Sequence, residues 1–163
     1  MSNYIDTIYN KEERPYTKYP RQLCSYLCSR FKINKGQKIL ELGCGRGDFL
    51  KSFKDLELEV FGLDLQKSSS ELLFGIDVRY INLEKDKFPF SDESFDVVFS
   101  KSVIEHLRKP EHFVEESKRV LKRGGKIIIM TPDWQSQHLI FYDDYSHVQP
   151  YTVKGAEDLL KVF

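Results

Sequence analysis

Eleven residues, Ile39-Leu40-Glu41-Leu42-Gly43-Cys44-Gly45-Arg46-Gly47-Asp48-Phe49, constrain this chain more than any other segment. An apolar run of strand length leads straight into three glycines at alternate positions, and a helical pattern begins directly behind them. Glycines between a strand and a helix let the backbone approach a ligand closely, because no Cβ stands in the way. In an open α/β sheet such a turn lies at the carboxyl ends of the strands, where ligands bind.

The same alternation runs along the rest of the chain. Residues 38–42 read as a strand and 48–56 as a helix with Phe49, Leu50 and Phe53 on one face. Strands follow at 59–63, 77–81, 95–100 and 126–130, with a weak helical stretch at 68–74. The three isoleucines of the last strand predict burial on both faces. A helix over 111–121 carries the inward stripe Phe113, Val114, Ser117, Val120 and Leu121, and Gly124-Gly125 reads as its left-handed end. Residues 152–162 read as a helix capped by Thr152. Ahead of the first strand, Leu23, Tyr26, Leu27 and Phe31 mark a helix starting at Pro20. Asn34-Lys35-Gly36 then makes a turn. Short apolar strands alternating with helices predict an α/β fold, a doubly wound and mostly parallel sheet covered on both faces. One domain is expected over 20–163, preceded by an arm or lid at 1–19.

Charge narrows the partners. Lys and Arg total 25 and so do Asp and Glu, so the basic excess of a nucleic-acid binder is missing and no nucleic acid is expected. The first residues lack a basic segment followed by an apolar one, and no apolar run approaches the ~20 residues that span a bilayer. Three cysteines give no disulfide framework, and Cys24 and Cys28 read as small core residues on one helix face. The expectation is a reduced, cytoplasmic protein with no membrane segment and no metal. Asp143-Asp144 reads as a solvated turn rather than a metal ligand pair.

The glycine spacing separates two cofactor classes. A dinucleotide turn is G-x-G-x-x-G, but Asp48 stands where its third glycine belongs. This turn is G-x-G-x-G with an acid, Glu41, two residues ahead. Asp64, 21 residues after Gly43 at the end of the second strand, is placed to accept both hydroxyls of a ribose. With these features the chain resembles the class I S-adenosylmethionine-dependent methyltransferases, in their small-molecule type 11 branch. The resemblance extends in order and spacing over about residues 36 to 163. It takes in Asn82-Leu83 with its Pro89-Phe90 loop, Phe95-Asp96 through Glu105-His106-Leu107, Arg119 to Lys126, and Met130-Thr131-Pro132.

The resemblance implies S-adenosylmethionine as methyl donor. Its binding residues would be Glu41, Gly43, Cys44, Gly45, Asp64, Leu65, Asn82, Leu83 and Ser100. Asn82 would meet the adenine amino group, as the more usual Asp does, and the Leu83 N–H would meet the ring. His106 is the first candidate for a general base toward the acceptor and His147 the second. Tyr16 and Arg14 in the arm are candidates to close over the methionine carboxylate. His112 and His138 have no motif around them.

Full members of this family continue into two further strands, one antiparallel, whereas this sequence stops at Phe163. The fifth strand is therefore expected as an open edge, either because the sequence is a shortened piece or because a second copy or a partner covers it. The function expected is methyl transfer to a small-molecule acceptor such as a sugar or other metabolite. Two alternatives stand beside it: an RNA or protein methyltransferase, and a degenerate module that binds cofactor or scaffolds a partner. The Asn/Asp-Pro-Pro-Phe/Tyr signature of many amino-group methylases is absent where Ser100-Lys101-Ser102 stands.

Overall fold

The computed structural model describes residues 15–68 and 71–163. Helix α1 (Tyr19–Phe31) precedes β1 (Lys38–Leu42), α2 (Asp48–Asp55), β2 (Glu59–Asp64), β3 (Asp77–Tyr80) and β4 (Phe95–Lys101). Helix α3 (Pro110–Val120), β5 (Leu121–Met130), the short α4 (Trp134–Gln137) and α5 (Val153–Val162) complete the described chain. The strands form one sheet in the order β3-β2-β1-β4-β5, every pairing parallel. From β1 the chain winds outward through β2 and β3, then crosses back to place β4 on the other side of β1. The carboxyl ends of β1 and β4 therefore meet at the point where the winding reverses, the usual ligand position in such sheets.

Alternation along the strands divides the core into two layers. Ile39, Val97, Phe99 and Ile128 face a cluster with Cys24 and Leu27 of α1 and Phe53 of α2. Leu40, Leu42 and Val98 face the opposite cluster with Phe113, Val114 and Val120 of α3 and Tyr151, against which Ala156, Leu159 and Leu160 of α5 also pack. The expected doubly wound sheet is thus present. Helix α5 begins as its sequence predicts, with the Thr152 hydroxyl oxygen accepting the Gly155 N–H at 3.1 Å.

Three expectations are corrected. Tyr26 is 60% exposed, and the buried positions of α1 are Cys24 and Leu27, one residue round the helix from the stripe that Tyr26 implied. Helix α3 ends at Val120 because Leu121 is already extended and pairs with Phe95, so Gly124 does not terminate it. Gly124, at φ +74°, sits instead within β5, in the irregular stretch between the Leu121 and Lys126 pairings with β4. Finally, among the described residues β5 is the outermost strand on its side of the sheet; only its Ile128 is buried, while Ile127 and Ile129 are half-covered. A run of isoleucines marks a strand but does not say how many layers cover it. No described helix is long and apolar enough to cross a membrane.

Candidate active site

The glycine turn is shaped by two different demands. Gly43, Gly45 and Gly47 have φ of +74°, +50° and +86°, a region that costs other residues about 1–2 kcal/mol each. The N–H groups of Gly43 and Cys44 both donate to the Leu63 carbonyl, at 2.7 and 3.2 Å, tying the turn to β2. A Cβ on Gly43 would fall 2.3 Å from Val103 Cγ2, so the segment after β4 leans directly on the turn. A Cβ on Gly45 would meet nothing within 4 Å. The turn is therefore packed beneath Gly43 and open above Gly45.

Two buried acids flank the opening. Glu41 of β1 is buried and its Oε2 has no partner, while the Leu50 N–H near the start of α2 acts to lower its carboxyl. Burial pushes its carboxyl well above the ordinary range; the charges of Asp64 and Asp48 add to this, and the Lys101 charge opposes it. Asp64 Oδ2 accepts the Gly45 N–H at 2.7 Å and Oδ1 accepts the Gln66 N–H at 2.9 Å. Burial raises this carboxyl too, against the pull of those N–H donors and that of Leu65.

The other predicted cofactor residues are distributed as follows. Leu65, directly after Asp64, is exposed. Asn82 follows β3 closely, and its side-chain oxygen accepts the Glu84 N–H at 2.9 Å, while Asp86 takes the Asn82 N–H at 2.7 Å. Leu83 is buried in the core cluster on the α3 side. Cys44 is buried, its Sγ held against β2 at Gly62, and burial pushes its thiol strongly up. The Ser100 hydroxyl is buried and donates to the Leu42 carbonyl at 3.2 Å across β4 and β1. Glu41, Gly43, Gly45 and Asp64 thus converge, whereas the side chains of Cys44, Leu83 and Ser100 are taken up by packing.

A clamp fixes the loop that follows β3. The Arg119 guanidinium donates to both Glu116 oxygens at 2.7 Å, to the Phe88 and Phe90 carbonyls at 2.9 Å and to Asp92 at 2.7 Å. Glu116 Oε2 also accepts the Phe88 N–H at 2.7 Å. One planar fork therefore locks the loop onto α3, a geometry that an ammonium cannot reproduce.

On the other side of the turn, beyond Val103, the structure brings His106 and His147 together with ring centroids 4.8 Å apart. His106 lies in a one-turn helix after β4 and His147 in the loop before α5. Glu105, to which the sequence reading gave no role, is fully buried between them and the sheet, accepting the Thr131 hydroxyl at 2.9 Å. Its carbonyl takes the N–H groups of Val148 and Gln149, which anchors the His147 loop. The acid–histidine pair shortly after a buried strand is visible in the sequence, but nothing in it reveals that the acid is buried. His112 and His138 lie apart from this group, on the Asp86 carbonyl and beside Trp134. Asp143 is exposed, but Asp144 is half-buried and bonded to Ser146. The Tyr16 ring stacks on the Arg46 guanidinium at 4.7 Å, and Arg46 pairs with Asp48 at 2.7 Å, so the described end of the arm rests on the turn. Arg14 lies outside the described residues. A cleft of about 400 Å³ beside Arg108, Trp134 and Tyr151 contains none of the turn residues.

The turn suits the cofactor that its sequence implied. Glu41 Oε2, Asp48 Oδ1 and Gln66 Oε1 are buried acceptors without partners, all within two residues of the glycines or Asp64. Unpaired buried acceptors are costly, and a ligand rich in hydroxyl and ammonium donors satisfies them. Comparison with known proteins agrees. A family model described as a methyltransferase domain matches residues 40–129. A protein of Methanocaldococcus jannaschii without an assigned activity is 39% identical over 97 residues, covering 60% of this chain and 45% of that protein. A probable S-adenosylmethionine-dependent methyltransferase of Mycolicibacterium smegmatis is 36% identical over 102 residues, covering 60% of this chain and 39% of that one. The chain thus spans less than half the length of either relative. The crystal structure of an Archaeoglobus fulgidus S-adenosylmethionine-dependent methyltransferase superposes with a TM-score of 0.76 at 20% identity, over 95% of this chain and 72% of the other. At that identity the likeness is one of fold.

Proposed function

Because this chain belongs to the family of S-adenosylmethionine-dependent methyltransferase domains, we propose that it transfers a methyl group from S-adenosylmethionine to a small-molecule acceptor. The observation that carries the reading is the cradle itself, open above Gly45 and ringed by the unpartnered acceptors of Glu41, Asp48 and Gln66. The bound cofactor supplies a methyl already activated by a positively charged sulfur. What remains for the protein is to hold two reactants in line, which alone accounts for large accelerations.

In this reading Asp64 exchanges its Gly45 N–H bond for the ribose hydroxyls, and Leu65 offers an apolar surface beside them. Glu41 turns a buried carboxyl oxygen that has no other partner toward the cationic end of the donor. Asn82 and Leu83 serve the adenine from the loop that Arg119 clamps. His106 and His147 meet the acceptor, on the far side of Val103 from the glycines. The balanced charge of the chain favours a small acceptor over a nucleic acid. The outer edge of β5, unpaired among the described residues, is where a second copy or a partner would add.

The test is production of S-adenosylhomocysteine from methyl-labelled donor across a panel of small hydroxyl, amine and carboxyl acceptors. Turnover with one acceptor class, abolished in Asp64→Ala, is the expected result. Label appearing only on RNA or protein would overturn the acceptor class, and cofactor bound without turnover on any acceptor would favour the binding-module alternative.

A further inference from the structure

The geometry points to a site for a divalent transition-metal ion formed by Glu105, His106 and His147. Among the described residues each of the three offers one ligand atom, and these atoms lie within 4.8 Å of one another. An ion held at about 2.0–2.2 Å from each would draw them in by ring and carboxylate rotation.

Three details distinguish this group from a chance cluster. The Glu105 side chain is fully buried; Thr131 bonds its Oε2, but Oε1 has no partner. A carboxylate oxygen in that condition carries a large desolvation cost that a cation removes. The His147 Nδ1 lies 2.6 Å from the Phe141 carbonyl, an acceptor, so that nitrogen carries the proton and Nε2 keeps its lone pair. The same tautomer is imposed on His106 by a relay. Ser146 donates its single hydroxyl proton to Asp144 Oδ1 at 2.5 Å, and its oxygen is then an acceptor for the His106 Nδ1–H at 3.1 Å. Both imidazoles are thus oriented through Nδ1 by a second partner, the arrangement that fixes metal-binding histidines. Asp144 Oδ2, 4.0 Å from His147 Nε2, adds negative charge nearby.

Two imidazoles and one carboxylate suit zinc, iron(II) or manganese(II) and leave coordination positions open. An oxygen of a small ligand would take such a position, and a hydroxyl bound there would lose its proton more readily. The site itself does not depend on the methyl-transfer reading, because it is tested by metal binding without cofactor or acceptor.

The experiment is calorimetric titration of the chelator-stripped chain with zinc and, separately, with manganese, checked by native mass spectrometry. One equivalent of one ion is expected to bind. His147→Ala and Glu105→Gln should weaken it at least 100-fold. Ser146→Ala, which removes only the orienting relay, should weaken it by about 10–100-fold. His112→Ala and His138→Ala should leave it unchanged. Thermal melts establish that each variant is folded, and His147→Ala decides the matter if Glu105→Gln is not. Absence of ion binding by the folded wild type would overturn the proposal. So would binding unaffected by His147→Ala but lost on removal of His112 or His138.

Discussion

The Asp64 carboxylate and the Gly45 N–H are bonded to each other at 2.7 Å, so the acid ending β2 and the middle glycine of the turn form one unit before any ligand arrives. A ribose that takes this carboxylate must compete with that bond, and it finds the acid already oriented. The two glycines nearest β1 then predict opposite outcomes on substitution. Gly43→Ala drives a Cβ to 2.3 Å from Val103 Cγ2 and should destabilise the fold, by ~2–3 kcal/mol in urea melts. Gly45→Ala meets no atom and should cost only ~1–2 kcal/mol of backbone strain. Its larger effect is expected in cofactor affinity. Equal stability losses with unchanged affinity would contradict the open cradle.

Glu41 makes stability depend on pH in a defined direction. Burial, first of all, raises its carboxyl in the folded state. The folded chain therefore holds a proton that the unfolded chain releases above about pH 4.3, and stability falls as pH rises toward the folded value. Glu41→Gln removes this penalty. Without cofactor the variant should be more stable than wild type at pH 7–8, and the gap should close toward pH 4. Thermal melts across that range check this, and calorimetry should show weaker S-adenosylmethionine binding by the same variant.

The Arg119 clamp carries the opposite sign. Its hydrogen bond to Glu116 holds that carboxyl below its usual range. The resulting stabilisation is full above the unfolded carboxylate value and is lost as pH falls through the folded one. Arg119→Ala should cost ~3 kcal/mol at pH 7, and its difference from wild type should shrink in acid. Arg119→Lys keeps the charge but not the fork and should lose much of the same stability. Urea melts at pH 7 and pH 3 measure both.

Thr152→Ala removes the cap at the start of α5, whose Ala156, Leu159 and Leu160 pack against the core cluster on the α3 side. A loss of ~1 kcal/mol is expected in thermal melts, with cofactor affinity unchanged.

Local pattern carried the sheet further than the His106–His147 group. The strand, glycine turn and helix of residues 38–55 follow from spacing alone, because an apolar strand, φ-permissive residues and a helical stripe stand next to one another in sequence. Thr152 was legible for the same reason. Tyr26 was not, since a helical stripe fixes a face only to within one residue while tertiary packing chooses the centre of that face. The early start of β5 at Leu121 depends on pairing with Phe95, a contact that no local window contains. The acids proposed to meet the cofactor, Glu41 and Asp64, announce themselves by position near strand ends. Glu105 does not: nothing local marks a carboxylate as fully buried, and the Ser146–His106 contact joins residues 40 apart in the chain. Conversely, Ser100 reads as a site residue by position, yet its hydroxyl bonds the Leu42 carbonyl.

The most direct test of the cofactor site is calorimetric titration of the purified chain with S-adenosylmethionine, S-adenosylhomocysteine and NAD, with Asp64→Ala alongside. Saturable binding of the first two, absent for NAD and weakened at least 100-fold in the variant, is the predicted result. A folded chain that binds neither sulfur-containing nucleoside, or an Asp64→Ala variant that binds them as well as wild type, would contradict the account.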